Sequence, residues 1–299
     1  MSVDVGGLSW KNPFTTASGT FASGREYADL WAASVPGAGE GFGIDPAKPL
    51  SILGAVTTKG VSLNPWPGND GVRLAETASG ALNSIGLQNP GVEAFCAHDL
   101  PWLATQDVPV VVNVSGHSAA EYAAVIERLE REPAVCAYEA NISCPNVDCG
   151  GLSFGTDPQA AAAVTAACRA VTDRPLIVKL TPNVTDVAAV ARAVADAGAD
   201  ALSLINTVAG AAFDLSTGRP VFDRVVAGLS GPAIKPVALY AVHRVHEAVD
   251  LPLIGMGGVA TLADALEFMA AGATAVAVGT ATFTDPLTLP RLIREWGAR

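Results

Sequence analysis

An α/β fold, a closed (β/α)8 barrel of the TIM type, follows from two features of the 299-residue chain. Short runs rich in Val, Ile and Leu alternate with Ala-rich segments of helical period, the pattern of βα units feeding a parallel sheet. Eight such runs occur, and eight strands with interleaved helices over this length suit a closed barrel better than an open sheet. A doubly wound sheet is the runner-up, but the glycine fingerprint expected after its first strand is missing. Half of the residues are hydrophobic and 16% are charged, which implies a large buried core rather than disorder.

The expected strands cover residues 13–17, 55–58, 109–114, 137–142, 176–180, 201–205, 251–254 and 275–278. Helices are expected over 119–132, 158–171, 186–197, 236–249 and 262–271. Their starts carry capping signals: Ser118 before one run, Asp157-Pro158 before another, and Thr261 with Asp264 in the spacing of a capping box. No linker-like break or internal repeat divides the chain, so a single domain over 1–299 is expected. The Gly/Pro-rich stretch 34–49 reads as a surface insertion.

Bulk properties exclude several classes. A formal net charge of −11 repels nucleic acid and anionic membrane surfaces. An anionic substrate would therefore need a local positive group in its pocket. The five cysteines, Cys96, Cys136, Cys144, Cys149 and Cys168, form no CxxC pair and match no disulfide, zinc or iron–sulfur pattern, so no metal site is expected. No basic-then-apolar leader opens the chain, and no stretch approaches the roughly 18 apolar residues of a membrane span. A soluble cytoplasmic protein is the expectation.

Barrel chemistry sits where strands end at the C-terminal face. Reading those ends in order gives Ser18, Lys59-Gly60, Asn113, Asn141 with Cys144, Lys179, Asn206-Thr207, Gly257-Gly258 and Gly279-Thr280. Any one of these could be a structural hydrogen-bonder. Together they are better explained by a ligand site, because polar groups at the mouth of an apolar barrel need partners. The glycine pairs after strands 7 and 8, with a helix start at Thr261 behind the first, suit a phosphate, although tight turns would look the same. Lys179 near the barrel axis suits either a Schiff-base aldolase or a flavin, which needs a cation beside N1 and O2. Flavin is favoured, since Asn113 and Asn141 fit the edges of a flat heterocycle and the strand ends supply no carboxylate or tyrosine proton carrier. Cys144 stands between a strand end and Pro145, before a Gly-rich stretch fit for a mobile cover. A thiol of reference pKa about 8.5 can act as a base near neutrality. Cys96, Cys136 and Cys168 fall inside helix or strand patterns and read as small buried hydrophobes.

These residues stand in a wider pattern: Ala17-Ser18-Gly19-Thr20, Thr58-Lys59-Gly60, Asn83-Ser84-Ile85-Gly86-Leu87-Gln88-Asn89-Pro90-Gly91, Asn141-Ile142-Ser143-Cys144-Pro145-Asn146, Lys179-Leu180-Thr181-Pro182-Asn183, Gly228-Leu229-Ser230-Gly231-Pro232 and Gly255-Met256-Gly257-Gly258. Along nearly its whole length the sequence resembles the dihydroorotate dehydrogenases, specifically the class 1 branch with a cysteine base. The resemblance implies an FMN enzyme of de novo pyrimidine (UMP) biosynthesis that oxidises (S)-dihydroorotate to orotate. Cys144 would take the C5 proton while hydride leaves C6 for flavin N5. Ser18, Lys59, Gly60, Asn113, Asn141, Lys179, Ile205, Gly231, Gly257, Gly258, Gly279 and Thr280 would hold FMN. Lys59, Asn83, Ser84, Ile85, Gly86, Leu87, Asn141, Asn206 and Thr207 would hold the substrate.

The stretches 179–186 and 228–236 look like the class 1B form, which implies a separate subunit carrying FAD and an iron–sulfur cluster, with NAD as final acceptor, around a homodimer core. Fumarate or a quinone stays open as acceptor. The class 2 form, with a serine base and an amphipathic N-terminal extension, does not match. The 34–49 stretch departs from the family pattern and bears on the partner surface rather than the chemistry. Two other functions compete: a dihydropyrimidine dehydrogenase-like flavoprotein, and a non-catalytic FMN-binding barrel subunit. Segment 83–87 with Pro145-Asn146 argues against the first, and the intact Cys144, Lys59 and Lys179 against the second.

Overall fold

A computed structural model describes residues 1–33, 42–143, 145–146 and 152–299. Eight strands form one parallel sheet: β1 (Phe14–Thr16), β2 (Val56–Thr57), β3 (Val110–Val114), β4 (Val135–Asn141), β5 (Leu176–Lys179), β6 (Ala201–Leu204), β7 (Leu253–Met256) and β8 (Ala275–Val278). Each pairs with its sequence neighbours, and β8 returns to β1. Closure between β1 and β2 rests on a parallel bridge of Thr15 with Ala55, and the Gly54 N–H donates to the Phe14 carbonyl at 2.9 Å. The ring is therefore a (β/α)8 barrel, as expected from eight apolar runs. Strand bounds differ from the sequence reading by a residue or two, most at β7, which starts after Pro252 because proline cannot donate to the ladder.

Strands buried on both faces explain the unbroken apolar runs. Period-two alternation then divides each run. Val112, Tyr138, Val178 and Leu202 point outward into a large cluster shared with the helices. Val111, Ala137, Ile177, Ala201, Ile254, Ala275 and Ala277 point inward, and small residues are what a narrow interior accepts. Val5 and Trp10 join that inner cluster from an N-terminal hairpin, Val3–Val5 with Leu8–Trp10. They fill the end of the barrel opposite the strand C-termini.

The connecting helices begin where the capping residues said they would. Ser118 accepts from the Glu121 N–H at the start of Ala119–Leu129, and Asp157 accepts from the Ala160 N–H at the start of Pro158–Arg169. Asp186 caps Val187–Asp196, and Thr261 with Asp264 completes a capping box before Leu262–Ala270. Each helix buries one stripe; Tyr122, Val125, Ile126 and Leu129 are the stripe of the first.

A second sheet, like the N-terminal hairpin, has no counterpart among the strands expected from sequence. Leu74–Thr77 and Gly80–Asn83, from the β2–β3 connection, join Val208–Gly210 and Ala227–Ser230, from the β6–β7 connection, in a four-stranded antiparallel sheet. This sheet ties two distant loops together at the C-terminal side of the barrel. Of the 34–49 stretch, residues 34–41 lie outside the described residues; in the remainder Ile44 and Pro49 are buried. Among the described residues no helix is long and apolar enough to cross a membrane.

Candidate active site

Two residues beyond the inner apolar layer, alternation brings a polar layer inward. Val111 is followed by Asn113, Ala137 by Glu139 and Asn141, Ile177 by Lys179, and Ala201 by Ser203. All five polar side chains are buried. Lys179 Nζ donates to Ser18 Oγ at 3.2 Å, joining the ends of β5 and β1. Lys59, just past β2, is half-buried in the same region. Burial, and then the nearby charge of Lys179, hold its ammonium below the ordinary lysine range. Two lysines close enough for their charges to interact stand together in a chain of net charge −11. Such a pair is costly alone and favours an anionic or electron-rich ligand between its members.

The amides form a second group. Tyr122 Oη donates to the Asn141 carbonyl at 2.6 Å, which fixes the end of β4 against the helix behind it. Asn206 Nδ2 reaches Asn141 Oδ1 at 3.4 Å, while Asn206 Oδ1 accepts from the Thr207 N–H at 2.8 Å. Asn113 Nδ2 donates to Glu139 Oε1 at 2.6 Å. Glu139 and Ser203 gave no signal in the sequence because each lies inside its strand rather than at the strand end.

The glycines close the third side. Gly231 and Gly258 have φ of +93° and +78°, a region that favours glycine. A Cβ at Gly258 would stand 2.9 Å from the Gly231 carbonyl and from Lys235 Cβ. A Cβ at Gly279 would stand 3.3 Å from Ala17 Cβ, and one at Gly231 would stand 3.6 Å from Thr280 Cγ2. The loops after β6, β7 and β8 thus meet the end of β1 with backbone uncovered, and the Ile205 side chain forms a buried apolar wall beside Gly257. At the helix start behind Gly257-Gly258 two of the N–H groups are already engaged. Asp264 Oδ2 already accepts the Ala260 and Thr261 N–H groups at 3.0 and 2.8 Å, so those donors serve the capping box and not an anion.

Segment 83–87 reaches the site through the antiparallel sheet. Asn83 Nδ2 donates to the Gly228 carbonyl at 3.1 Å, and a Cβ at Gly228 would fall 2.2 Å from Thr207 Oγ1. Asn69 holds Ser84 through its carbonyl and hydroxyl, and a Cβ at Gly86 would strike Asn69 Oδ1 at 2.5 Å. Leu87 takes φ of +57°, a strained conformation for a leucine, and its carbonyl accepts from Asn89 Nδ2 at 2.9 Å. Ile85 is only partly buried. Asn183 Nδ2 donates to the Thr207 carbonyl at 3.0 Å. Asn69 and Asn183 were also missed as supports; their polar loops gave no periodic signal.

Cys144 and Cys149 lie outside the described residues. The chain around them is anchored: Pro145–Asn146 pairs antiparallel with Leu152–Ser153, and Ser153 Oγ and the Gly155 N–H both donate to the Ile142 carbonyl. Of the other thiols, burial pushes Cys96 up to about 11 and Cys168 up to about 12, as small buried hydrophobes should behave. Cys136 sits on β4, partly buried. Among the described residues no group of His, Cys, Asp and Glu could hold a metal ion.

The match to known proteins is complete in extent. The family model for dihydroorotate dehydrogenase covers residues 1–299. The chain belongs to the dihydroorotate dehydrogenase family. A relative from Pelobacter propionicus, named dihydroorotate dehydrogenase B (NAD(+)), catalytic subunit, is 54% identical over 96% of this chain and 88% of its own. Proteins of the same name from Geobacter sp. (strain M21) and Anoxybacillus flavithermus are 52% and 48% identical over 99% of this chain, covering 91% and 89% of theirs. Family membership makes the chain an oxidoreductase, and the layer of amides and lysines at the strand ends is where its chemistry is to be sought.

Proposed function

We propose that this chain oxidises (S)-dihydroorotate to orotate with FMN as its bound flavin, as a class 1B catalytic subunit in pyrimidine biosynthesis. The observation that carries the reading is the Lys59–Lys179 pair set beside inward-facing amides in an acidic protein. The site fits a flavin phosphate and ring: the glycines after β6 to β8 leave a backbone cradle that a Cβ would fill, and Lys179 supplies a buried cation. Ser18, Gly60, Asn113, Asn141, Lys179, Ile205, Gly231, Gly257, Gly258, Gly279 and Thr280 would hold FMN, with Lys59 shared between flavin and substrate. FMN, when bound there, would supply the hydride acceptor for the oxidation.

The rest is done by the chain. Asn83, Ser84, Ile85, Gly86, Leu87, Asn141, Asn206 and Thr207 would hold the substrate ring, since amides both donate and accept along its edges. Lys59 would pair with the substrate carboxylate. Cys144, in its thiolate form, would take the C5 proton. A separate subunit with FAD and an iron–sulfur cluster would pass electrons to NAD, around a homodimer core. The test is anaerobic: dihydroorotate should bleach the flavin of the purified yellow protein, and dihydrouracil should not. Colourless protein that takes up no added FMN would end the reading.

A further inference from the structure

Asn113, Glu139 and Ser203 occupy the inner face of β3, β4 and β6, with Asn113 and Glu139 directly paired in register. Glu139 is 2% exposed, and a carboxylate buried that deeply must have its oxygens bonded. Both are: Oε1 accepts from Asn113 Nδ2 at 2.6 Å and Oε2 from Ser203 Oγ at 2.7 Å. A partner that accepts settles which way the amide turns, because only the NH2 end of Asn113 can donate to it. The carbonyl end must then face elsewhere. Its direction is read at Gly60, where a Cβ would lie 3.0 Å from Asn113 Oδ1.

We infer that Glu139 is a positioning residue that locks Asn113 with its carbonyl toward the ligand, so that position 113 accepts a hydrogen bond from a ring N–H and offers no donor there. An isoalloxazine carries one imide N–H between two carbonyls. A fixed acceptor matches that N–H and rejects the neighbouring carbonyls, whereas an untethered amide could present either end. Ser203 completes the arrangement by occupying the second oxygen. This inference rests on the flavin reading above.

The test is FMN titration of the apoprotein, followed by quenching of FMN fluorescence, with thermal unfolding of each apoprotein recorded beside it. Glu139→Leu leaves Asn113 Nδ2 unpaired and free to turn, and the FMN Kd should rise about tenfold or more. Glu139→Gln should stay within about threefold of wild type, since its Oε1 still accepts from Asn113 and its Nε2 can donate to Ser203 Oγ. Because Glu139 acts through Asn113, the double variant Asn113→Ala/Glu139→Leu should bind no more weakly than Asn113→Ala alone. A Glu139→Leu protein that unfolds normally yet binds FMN like wild type overturns the inference, as does a double variant whose two losses add. Should Glu139→Leu yield no soluble protein, Glu139→Asp withdraws the acceptor by one methylene while keeping the charge, and wild-type affinity there overturns it equally. Wild-type apoprotein that takes up no FMN defeats the flavin reading itself; normal uptake with an indifferent position 139 defeats this inference alone.

Discussion

Lys59 shows how a single residue couples burial to ligand choice. Its ammonium is held below the ordinary lysine range by burial first and by Lys179 second. In the window between that lowered value and the unfolded one, the unfolded chain binds more protons, so stability rises with pH there, and below it the charged Lys59 is a cost. A ligand carboxylate reverses the sign by favouring the protonated form. Orotate binding should therefore take up a proton across that alkaline window, and its affinity should fall as pH rises through it. Calorimetry in buffers of differing ionisation enthalpy reads the uptake directly; Lys59→Met should abolish it, and wild-type binding without uptake would contradict the placement of the carboxylate. The base is tested separately. Cys144→Ala should slow flavin reduction by a factor on the order of 10² to 10⁴ with orotate binding intact, and Cys144→Ser should recover part of that rate only at higher pH. Stopped-flow reduction across pH measures both, and a Cys144→Ala protein as fast as wild type, with Cys149→Ala slow, would name the other thiol. Residues like Lys59, Asn141 and Lys179 were legible because each breaks an apolar run where the strand ends. Glu139 was not, because inside Ala137-Tyr138-Glu139-Ala140-Asn141 a single carboxylate looks like noise until alternation shows that it shares the inner face with Asn141.

At the scale of elements, local chemistry and long-range pairing were unequally readable. The barrel strands and the five helices follow from periodicity and caps, which act over a few residues. The antiparallel sheet does not, since its strands of three or four residues come from two connections more than a hundred positions apart and only tertiary pairing makes them strands. The N-terminal hairpin, with two three-residue strands, escaped for the same reason. Caps and cradles are separable by mutation. Thr261→Ala removes one half of the capping box at Leu262–Ala270 and should cost about 1 kcal/mol, seen as a fall in Tm of a few degrees with FMN affinity unchanged, because Asp264 engages the Ala260 and Thr261 N–H groups just ahead of the helix. Gly258→Ala should do the opposite kind of damage. Its φ of +78° and the 2.9 Å approach to the Gly231 carbonyl force the loops after β6 and β7 apart, so FMN retention should fall more than stability does. Equal loss of FMN in the two variants would mean that the helix start serves the phosphate after all.

For the whole molecule, the question is where the electrons go once the substrate is oxidised. Five cysteines without a CxxC pair cannot hold an iron–sulfur cluster of the usual spacing, and the described residues contain no metal-ligating group. No G-x-G-x-x-G fingerprint follows the first strand. The relatives nonetheless carry NAD(+) and "catalytic subunit" in one name, which divides the labour between two chains. A net charge of −11 is repelled by anionic lipid. Two rates then separate. Dihydroorotate should bleach the flavin of the isolated chain at full speed, because in the site proposed above that half-reaction would draw only on the lysines, the amides and Cys144. Reduction of NAD by the same preparation should be slow, and should rise by orders of magnitude when a subunit carrying FAD and an iron–sulfur cluster is added in stoichiometric amount. Following bleaching and NADH formation in parallel, with and without that subunit, distinguishes the cases. Rapid NADH formation by the isolated chain would overturn the class 1B division while leaving the chemistry of dihydroorotate oxidation in place; fumarate or quinone reduction at that speed would instead identify the acceptor as one that meets the flavin directly.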